Sequence, residues 1–563
     1  MAFSKFKQLL TQRAITCAVR FSVRGDGTVT IFGILMFILM IAVGGVAVDI
    51  MRYETQRVQL QYTLDRAVLA AASMNQTLDP EDVVLDYFAR SGLPDRYRIS
   101  VDVDQGLNYR SVSATAEMDI NNIFMDFFGI RALTSPAAGA AEERLMNVEI
   151  SLVLDVSGSM GGRSANGRTK LENLQTAATD FVTTVMAAND YVRDEMLVSI
   201  SVIPYAGFVN AGSTVEELFP ISSYHTYSSC TRFRDDQFTR TGLGDFEEID
   251  RLAHFDYQHQ YWNSELQQSY CPTDDENAIL PWSHSIDDLH DLIAGLEARG
   301  WTAIDQGMRW GVTLLDPSSQ DELDAWWDES QLTGIDTVHE DFRPRPESYD
   351  DDETLKIVVL MTDGANTLQI DVADGFREGP STIYYHDVDE RWSMYLPDQD
   401  VYWIPDVIAG DSTTYNNYSG ILSPTPYVAA DGSESEALSW PWMWANFTNR
   451  GIALGFYNAA SSAVGDWSYR NRIMNDGLDH FDGTQRWGNS AEFADQNLRD
   501  ICDAANTEGI VIYSIAFEAP LRGQSVMQHC ASSDGNYFNV EGVEISEAFD
   551  SIASVINRLR LTQ

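Results

Sequence analysis

A chain of 563 residues exceeds the usual length of one domain, and with 44% hydrophobic and 11% aromatic residues it can bury a sizeable core. Its formal charge of −47 argues against nucleic acid as a partner, because two polyanions repel and no basic patch follows the first fifty residues to offset that charge. Metal cations and basic partners suit such a chain better.

The first element is a basic tail, residues 1–28. Within residues 1–27, Lys5, Lys7, Arg13, Arg20 and Arg24 face Asp26 alone, a net +4 that leaves −51 for the rest. Residues 29–48 (VTIFGILMFILMIAVGGVAV) then run twenty positions without a charge, about the length that crosses a hydrocarbon core. A basic flank before this transmembrane helix predicts a cytoplasmic N-terminus, with the bulk of the chain on the outer side. A cleaved signal peptide is the competing reading, with GGVAV passing for a processing site. The run is longer than the ~7 to 15 residues of a signal core, and no proline interrupts residues 28–79, so the helix is expected to continue past the membrane. Leu60, Leu64, Ala67 and Ala71 recur at the spacing of a helix that buries one face.

Residues 49–145 are predicted to form a small α+β region. A helix reaches about residue 72, a second covers 80–90, and alternation in RYRISVDVD and SVSATAEMDI predicts strands at 97–103 and 111–120. The small-residue stretch PAAGAAEER at 136–144 reads either as a linker or as an edge strand.

A different pattern begins at Met146. Residues 147–154 (NVEISLVL) are too apolar for a sheet with one wet face, which predicts a central strand covered on both sides. Residues 197–203 (LVSISVI), 356–361 (KIVVLM) and 510–517 (IVIYSIAF) match it. Helices are expected at about 169–188, 286–298, 303–315, 491–508 and 546–559. Strands alternating with helices predict an α/β domain over 146–563 with a mostly parallel sheet. Two insertions, at about 206–284 and 366–490, break the alternation, and loops of that length are functional or carry their own substructure. Aromatic density in the second (WSMYL, VYWIP, LSWPWMWANF) predicts that it is ordered and packed on the domain. The acidic run YDDDE at 349–353 lacks the alternating ligands of a calcium loop and is expected to be solvated.

Cys17 falls in the cytoplasmic segment as a free thiol, whereas Cys230, Cys271, Cys502 and Cys530 lie outside, where disulfides persist. Four cysteines allow three pairings. Nearness favours Cys230 with Cys271 and Cys502 with Cys530, buried free thiols being the alternative.

The strand at 147–154 ends in Asp155-Val-Ser-Gly-Ser-Met160. Ligands of open α/β sheets bind where loops leave the carboxyl ends of strands, which is where this cluster lies. By itself D-x-S-x-S is weak, expected by chance in on the order of one in ten chains of this length. A second apolar strand, 356–361, also runs into an aspartate, Asp363 of Met361-Thr-Asp-Gly-Ala. Thr302 adds a further oxygen just before a helix. A purely structural role, Asp155 capping a turn and the serines capping a helix, accounts for one serine but not for five oxygens from three loops.

This segment resembles a von Willebrand factor A domain with its metal-ion-dependent adhesion site. The family's D-x-S-x-S, Thr and Asp elements match Asp155, Ser157, Ser159, Thr302 and Asp363 in order. The resemblance implies Mg²⁺, with Mn²⁺ or Ca²⁺ as alternatives, bound directly by hydroxyls, with the aspartates acting largely through water or charge. It also implies a partner carboxylate completing the octahedron. The spacing departs from a compact A domain. Sixty residues separate Thr302 from Asp363, and more than a hundred separate Asp363 from the last strand, so the insertions can cover the metal face.

A second resemblance covers the N-terminus. The basic tail, Gly25-Asp26-Gly, the apolar helix ending near Val46-Ala-Val-Asp49 and then Leu64-Asp-Arg-Ala67-Val-Leu-Ala-Ala-Ala72 resemble the TadE/TadG-like proteins of tight-adherence (Flp) pilus assembly in bacteria. Leu559-Arg-Leu-Thr-Gln563 and the surroundings of Cys502 and Cys530 are similar to TadG. No G-x-S-x-G elbow, P-loop, H-E-x-x-H or dinucleotide fingerprint occurs, and His529 beside Cys530 is better explained by a disulfide, so no enzyme is expected.

The function these resemblances imply is a single-pass protein of the bacterial inner membrane, facing the periplasm or the surface, that holds a pilus or envelope protein through its metal. The alternatives are a surface-exposed adhesin for an external ligand and a structural element with a non-exchanging metal.

Overall fold

The structure is a computed structural model that describes residues 26–559 apart from 74–75, 77, 95, 106–108, 145, 191–197, 245–247, 257–265, 267–268, 334–338, 352, 407–418, 467–477 and 481–491. Most of the basic tail, Cys17 and residues 560–563 of the C-terminal motif lie outside the described residues. The chain divides at residues 145/146 into two compact units.

In the first unit, α1 (Asp26–Ala72) is one unbroken helix of 47 residues. At about 1.5 Å per residue it is roughly 70 Å long, more than twice a hydrocarbon core. Its N-terminal half is long and apolar enough to cross a membrane. Its C-terminal half buries Leu60, Leu64, Ala67 and Ala71, the face that the periodicity predicts. Helix α2 (Pro80–Arg90) starts where Asp79 accepts the N–H groups of Glu81 and Asp82, with Pro80 supplying a preset φ. Strands β1 (Tyr97–Gln105), β2 (Tyr109–Asn121) and β3 (Ala132–Arg144) form an antiparallel sheet in that order. Val112, Ala114, Ala116, Met118 and Ile120 alternate inward from β2 onto the helices. PAAGAAEER is therefore strand, not linker, and its proline sits on an edge strand, where a missing N–H is tolerated.

In the second unit the chain runs through β4 (Asn147–Asp155), α3 (Lys170–Met186), β5 (Val198–Tyr205), β6 (Leu280–Ser283), α4 (Ile286–Gly295), α5 (Ile304–Thr313), α6 (Gln320–Thr333) and β7 (Thr354–Thr362). Five short strands follow: β8 (Pro380–His386), β9 (Arg391–Leu396), β10 (Val401–Pro405), β11 (Gly420–Ser423) and β12 (Glu436–Ser439). The unit closes with α7 (Glu492–Thr507), β13 (Val511–Phe517), α8 (Leu521–Cys530), β14 (Tyr537–Val540) and α9 (Glu544–Leu559).

The central sheet has the order β14-β13-β7-β4-β5-β6, parallel except for β6. Numbered along the chain, these six strands stand 3-2-1-4-5-6, the doubly wound arrangement. All eight residues of β5 are buried, as are all residues of β4 after Asn147, so the sheet is covered on both faces. Helix α5 is buried along its whole length, and Phe181 of α3 meets Phe549 of α9 edge-on at 5.7 Å. Thr169 starts α3 with a reciprocal capping box to Glu172.

The two excursions from this α/β pattern share a second core. Strands β8 to β12 make an antiparallel sheet ordered β11-β10-β9-β8-β12. Trp392, Trp403 and Trp444 from the later excursion cluster with Phe208, Phe255 and Tyr270 from the earlier one. Disulfides join Cys230 to Cys271, within that cluster, and Cys502 to Cys530, which ties α7 to α8.

Candidate metal centre

Strands β4 and β7 are parallel neighbours, with Leu154 opposite Met361. From β4 the chain turns to β5 on one side, whereas β7 lies on the other, so the loops after β4 and β7 part and leave a crevice between them. Asp155 ends β4 and Asp363 follows β7. Their side chains reach that crevice because both strands finish at the same level.

The loop after β4 is folded by its own residues. Asp155 Oδ1 accepts the Ser157 N–H at 2.8 Å, and Asp155 Oδ2 accepts the Thr362 hydroxyl at 2.7 Å. The Ser157 and Ser159 hydroxyls are 2.9 Å apart, and Ser159 Oγ donates to Asp363 Oδ1 at 2.6 Å. Gly158 donates its N–H to the Gly300 carbonyl at 3.0 Å, and a Cβ there would lie 3.1 Å from that same oxygen, which favours glycine between the serines. Four of the five predicted residues thus form one hydrogen-bonded group.

Thr302 arrives by a different route. Its N–H donates to Thr367 Oγ1 at 3.0 Å and its carbonyl accepts the Thr367 N–H at 2.9 Å, binding the loop before α5 to the segment after β7. Its hydroxyl borders Gly364, where an added Cβ would sit 3.4 Å from Thr302 Oγ1. The fifth oxygen therefore stands beside the residue that follows Asp363.

Burial, and then the charge of Asp363, pushes the Asp155 carboxyl up to about 7 from its ordinary 3.8. Burial likewise pushes Asp305, on α5 three residues beyond Thr302, up to about 7, although Gln369 donates to it at 2.5 Å. Negative charge is costly at this end of the sheet unless a cation offsets it.

One such cation is internal, and the motif gave no hint of it. Lys170, the first residue of α3, places Nζ 2.9 Å from Asp363 Oδ2 and 3.8 Å from Glu518 Oε2. Glu518 follows β13 directly, accepts the Gly542 N–H at 3.1 Å and pairs with the Ser164 hydroxyl. The strand-end rule that picks out Asp155 and Asp363 would have found Glu518 had it been applied to the strand at 510–517. Helix α8 closes the back of the site. A Cβ on Gly523 would lie 1.9 Å from the Gly364 carbonyl oxygen.

Asp155, Ser157, Ser159, Thr302 and Asp363 fit a hard divalent cation. All are oxygen donors, hydroxyls outnumber carboxylates, and Ser159 is exposed at the rim, where a ligand from outside can arrive. Among the described residues no three His, Cys, Asp or Glu side chains gather as a metal site, so hydroxyls are needed to complete any such centre. The exposure of Ser159 also bears on the insertions, whose described residues leave this rim open.

The Flp pilus-assembly TadE/G-like family profile matches residues 27–74, so this stretch is similar to that family. No curated protein matches the chain. Among solved structures the chain is similar to the vWF domain of the type V pili tip protein Mfa5 from Porphyromonas gingivalis, at 12% identity over 74% of this chain and 98% of that one, with a TM-score of 0.31. It is also similar to the pilus adhesin RrgA from Streptococcus pneumoniae, at 12% identity, 82% of this chain and a TM-score of 0.31, spanning about half (49%) of RrgA's length. A third is the adhesive tip pilin GBS104 from Group B Streptococcus agalactiae, at 11% identity over 73% of this chain and 100% of that one, with a TM-score of 0.31.

Proposed function

We propose that the protein is a single-pass component of a Tad-type pilus system in the bacterial inner membrane. Its N-terminus is cytoplasmic, and its α/β unit holds a partner protein through a divalent cation. The observation that carries the metal reading is the hydrogen-bonded run Ser157, Ser159 and Asp363 beside buried Asp155 at the switch point of the sheet. Asp155, Ser157, Ser159, Thr302 and Asp363 would hold Mg²⁺, which supplies a Lewis-acidic position for a carboxylate offered by a pilus or envelope protein. Neutral hydroxyls near the ion leave it electrophilic, so an acidic side chain can win that position despite the chain's negative charge. The role is binding rather than catalysis.

The anchor rests on the apolar half of α1 and on the family match over residues 27–74, which runs without a break from the apolar stretch into the buried half of the same helix. The test is affinity capture from envelope extracts on the immobilised chain with Mg²⁺, followed by elution with chelator. A partner released by chelator from the native chain, and not captured by Asp155→Ala, is the expected result. Retention that ignores both chelator and substitution would refute metal-dependent binding.

A further inference from the structure

The turn between β2 and β3 exposes an unusual amount of apolar surface. Ile123, Phe127, Phe128 and Ile130 are 55%, 86%, 64% and 46% exposed. A water-facing turn has no reason to carry four large apolar side chains. Its attachment to α1 supplies one.

Asp49, buried on α1, accepts the N–H groups of Ile123, Phe124 and Met125 at 3.0, 2.7 and 2.8 Å, satisfying the donors that open the short helical turn Met125–Phe128. Asn122 closes the base of the turn through the Arg131 carbonyl at 2.9 Å and the Ile130 carbonyl at 3.1 Å. Below Asp49 the Phe124 ring occupies the space beside Gly45, where an added Cβ would fall 2.4 Å from Phe124 Cδ1. Gly45 lies four residues earlier on the helix, about 6 Å along its axis and inside the apolar run. The turn is therefore fastened to α1 at the level where the uncharged stretch ends.

We infer that residues 123–130 form a second membrane contact, an apolar tip that enters the outer-side headgroup and upper acyl region of the same bilayer that α1 crosses. The inference rests on the reading of α1 as an anchor. Aromatic side chains favour that zone, and two arginines flank it, Arg131 mostly exposed and 3.8 Å from Asp126, the one charged residue of the tip, and Arg52 3.9 Å from Asp49 and one turn beyond it. A second copy of the chain is the other conceivable cover, but only the bilayer must be present at this level once α1 spans it. With two contacts, the first unit would be held against tilting and rotation about α1.

The test uses the full chain with Cys17→Ser, carrying one introduced cysteine labelled with an environment-sensitive fluorophore, in vesicles of phosphatidylcholine and phosphatidylglycerol containing doxyl-labelled lipid. The labelled positions are Phe127→Cys at the tip, Phe37→Cys within the apolar run and Thr115→Cys on the exposed face of β2. The expected result is strong quenching at 127 by lipid labelled near the headgroup, strong quenching at 37 by lipid labelled deeper, and several-fold weaker quenching at 115. Quenching at 37 with none at 127 overturns the tip and leaves the anchor standing. Absence of quenching at 37 overturns the anchor and the tip with it. A label at 127 that aqueous iodide cannot reach, yet lipid does not quench, is covered by protein and also overturns the inference.

Discussion

Lys170 sets its ammonium 2.9 Å from Asp363 Oδ2 while Ser159 donates to the other oxygen of the same carboxylate at 2.6 Å. The Asp363 charge is thus shared between an internal cation and the proposed metal group. Lys170→Met should leave Asp363 and Glu518 without that cation and cost about 3 kcal/mol in the metal-free protein. It should also enlarge the rise in Tm on adding Mg²⁺, since the ion would then be the sole counter-charge. Thermal unfolding of both proteins in chelator and in saturating Mg²⁺ checks this. Equal Mg²⁺ shifts would show that Lys170 and the ion do not compete.

Asp155→Asn separates charge from shape. An acid whose folded pKa is raised, here from 3.8 to about 7, holds its proton longer folded than unfolded, so metal-free stability falls as pH rises across that interval. The amide variant should lose this pH dependence and be the more stable protein in chelator at pH 8, by on the order of 1 to 3 kcal/mol. It should also lose any response to Mg²⁺. Urea unfolding at pH 5 and pH 8, with and without the ion, reads both effects. A variant that still gains stability from Mg²⁺ would remove Asp155 from the site.

His225 and His254 give a dependence of opposite sign. Burial lowers both from 6.5 to about 4, and His225 is fixed by the Leu252 carbonyl at 2.9 Å. Each therefore contributes stability that is present above pH 6.5 and lost as pH falls toward 4, up to about 3 kcal/mol per residue. His254→Gln should accordingly lose less stability than the native chain between pH 7.5 and pH 4.5. Identical losses would place the acid sensitivity elsewhere.

Gly523→Ala tests the rear wall of the metal centre. The new methyl would meet the Gly364 carbonyl, which belongs to backbone and cannot rotate away. The expected outcome is a loss of roughly 1 to 3 kcal/mol together with a weakened Mg²⁺ response, because the Asp363 loop is what must yield. Stability loss with an unchanged response would mean that α8 moves instead.

The central strands were legible because β4, β5, β7 and β13 are continuous apolar, β-branched runs, and few other structures bury both faces of an extended segment. Asp155, Ser157 and Ser159 were legible for a local reason, their closeness in sequence. Strand β14 (Tyr537–Val540) is four residues long and partly exposed, and β6 (Leu280–Ser283) is four residues long with a proline, so neither edge strand carries a clear alternating signal. In PAAGAAEER, alanine has little preference for strand, and only pairing along β2 decides its state. Lys170 belongs to the site through the fold alone, since 193 residues separate it from Asp363.

The core common to the two excursions has a consequence for how this protein can be cut and how it could have been built. Phe208, Phe255 and Tyr270 pack on one another and share one core with residues that the ribosome adds more than a hundred positions later, among them Trp392, Trp403 and Trp444. The shared core cannot close until the later excursion is made, and removing the later one would uncover the earlier one's side of it. The two excursions are tied to one another through that core, and Phe219, Phe233, Phe238 and Ile249 of the earlier one also pack with Trp310 in the core of the α/β unit, so a trimmed protein that keeps the metal centre has to keep the earlier excursion.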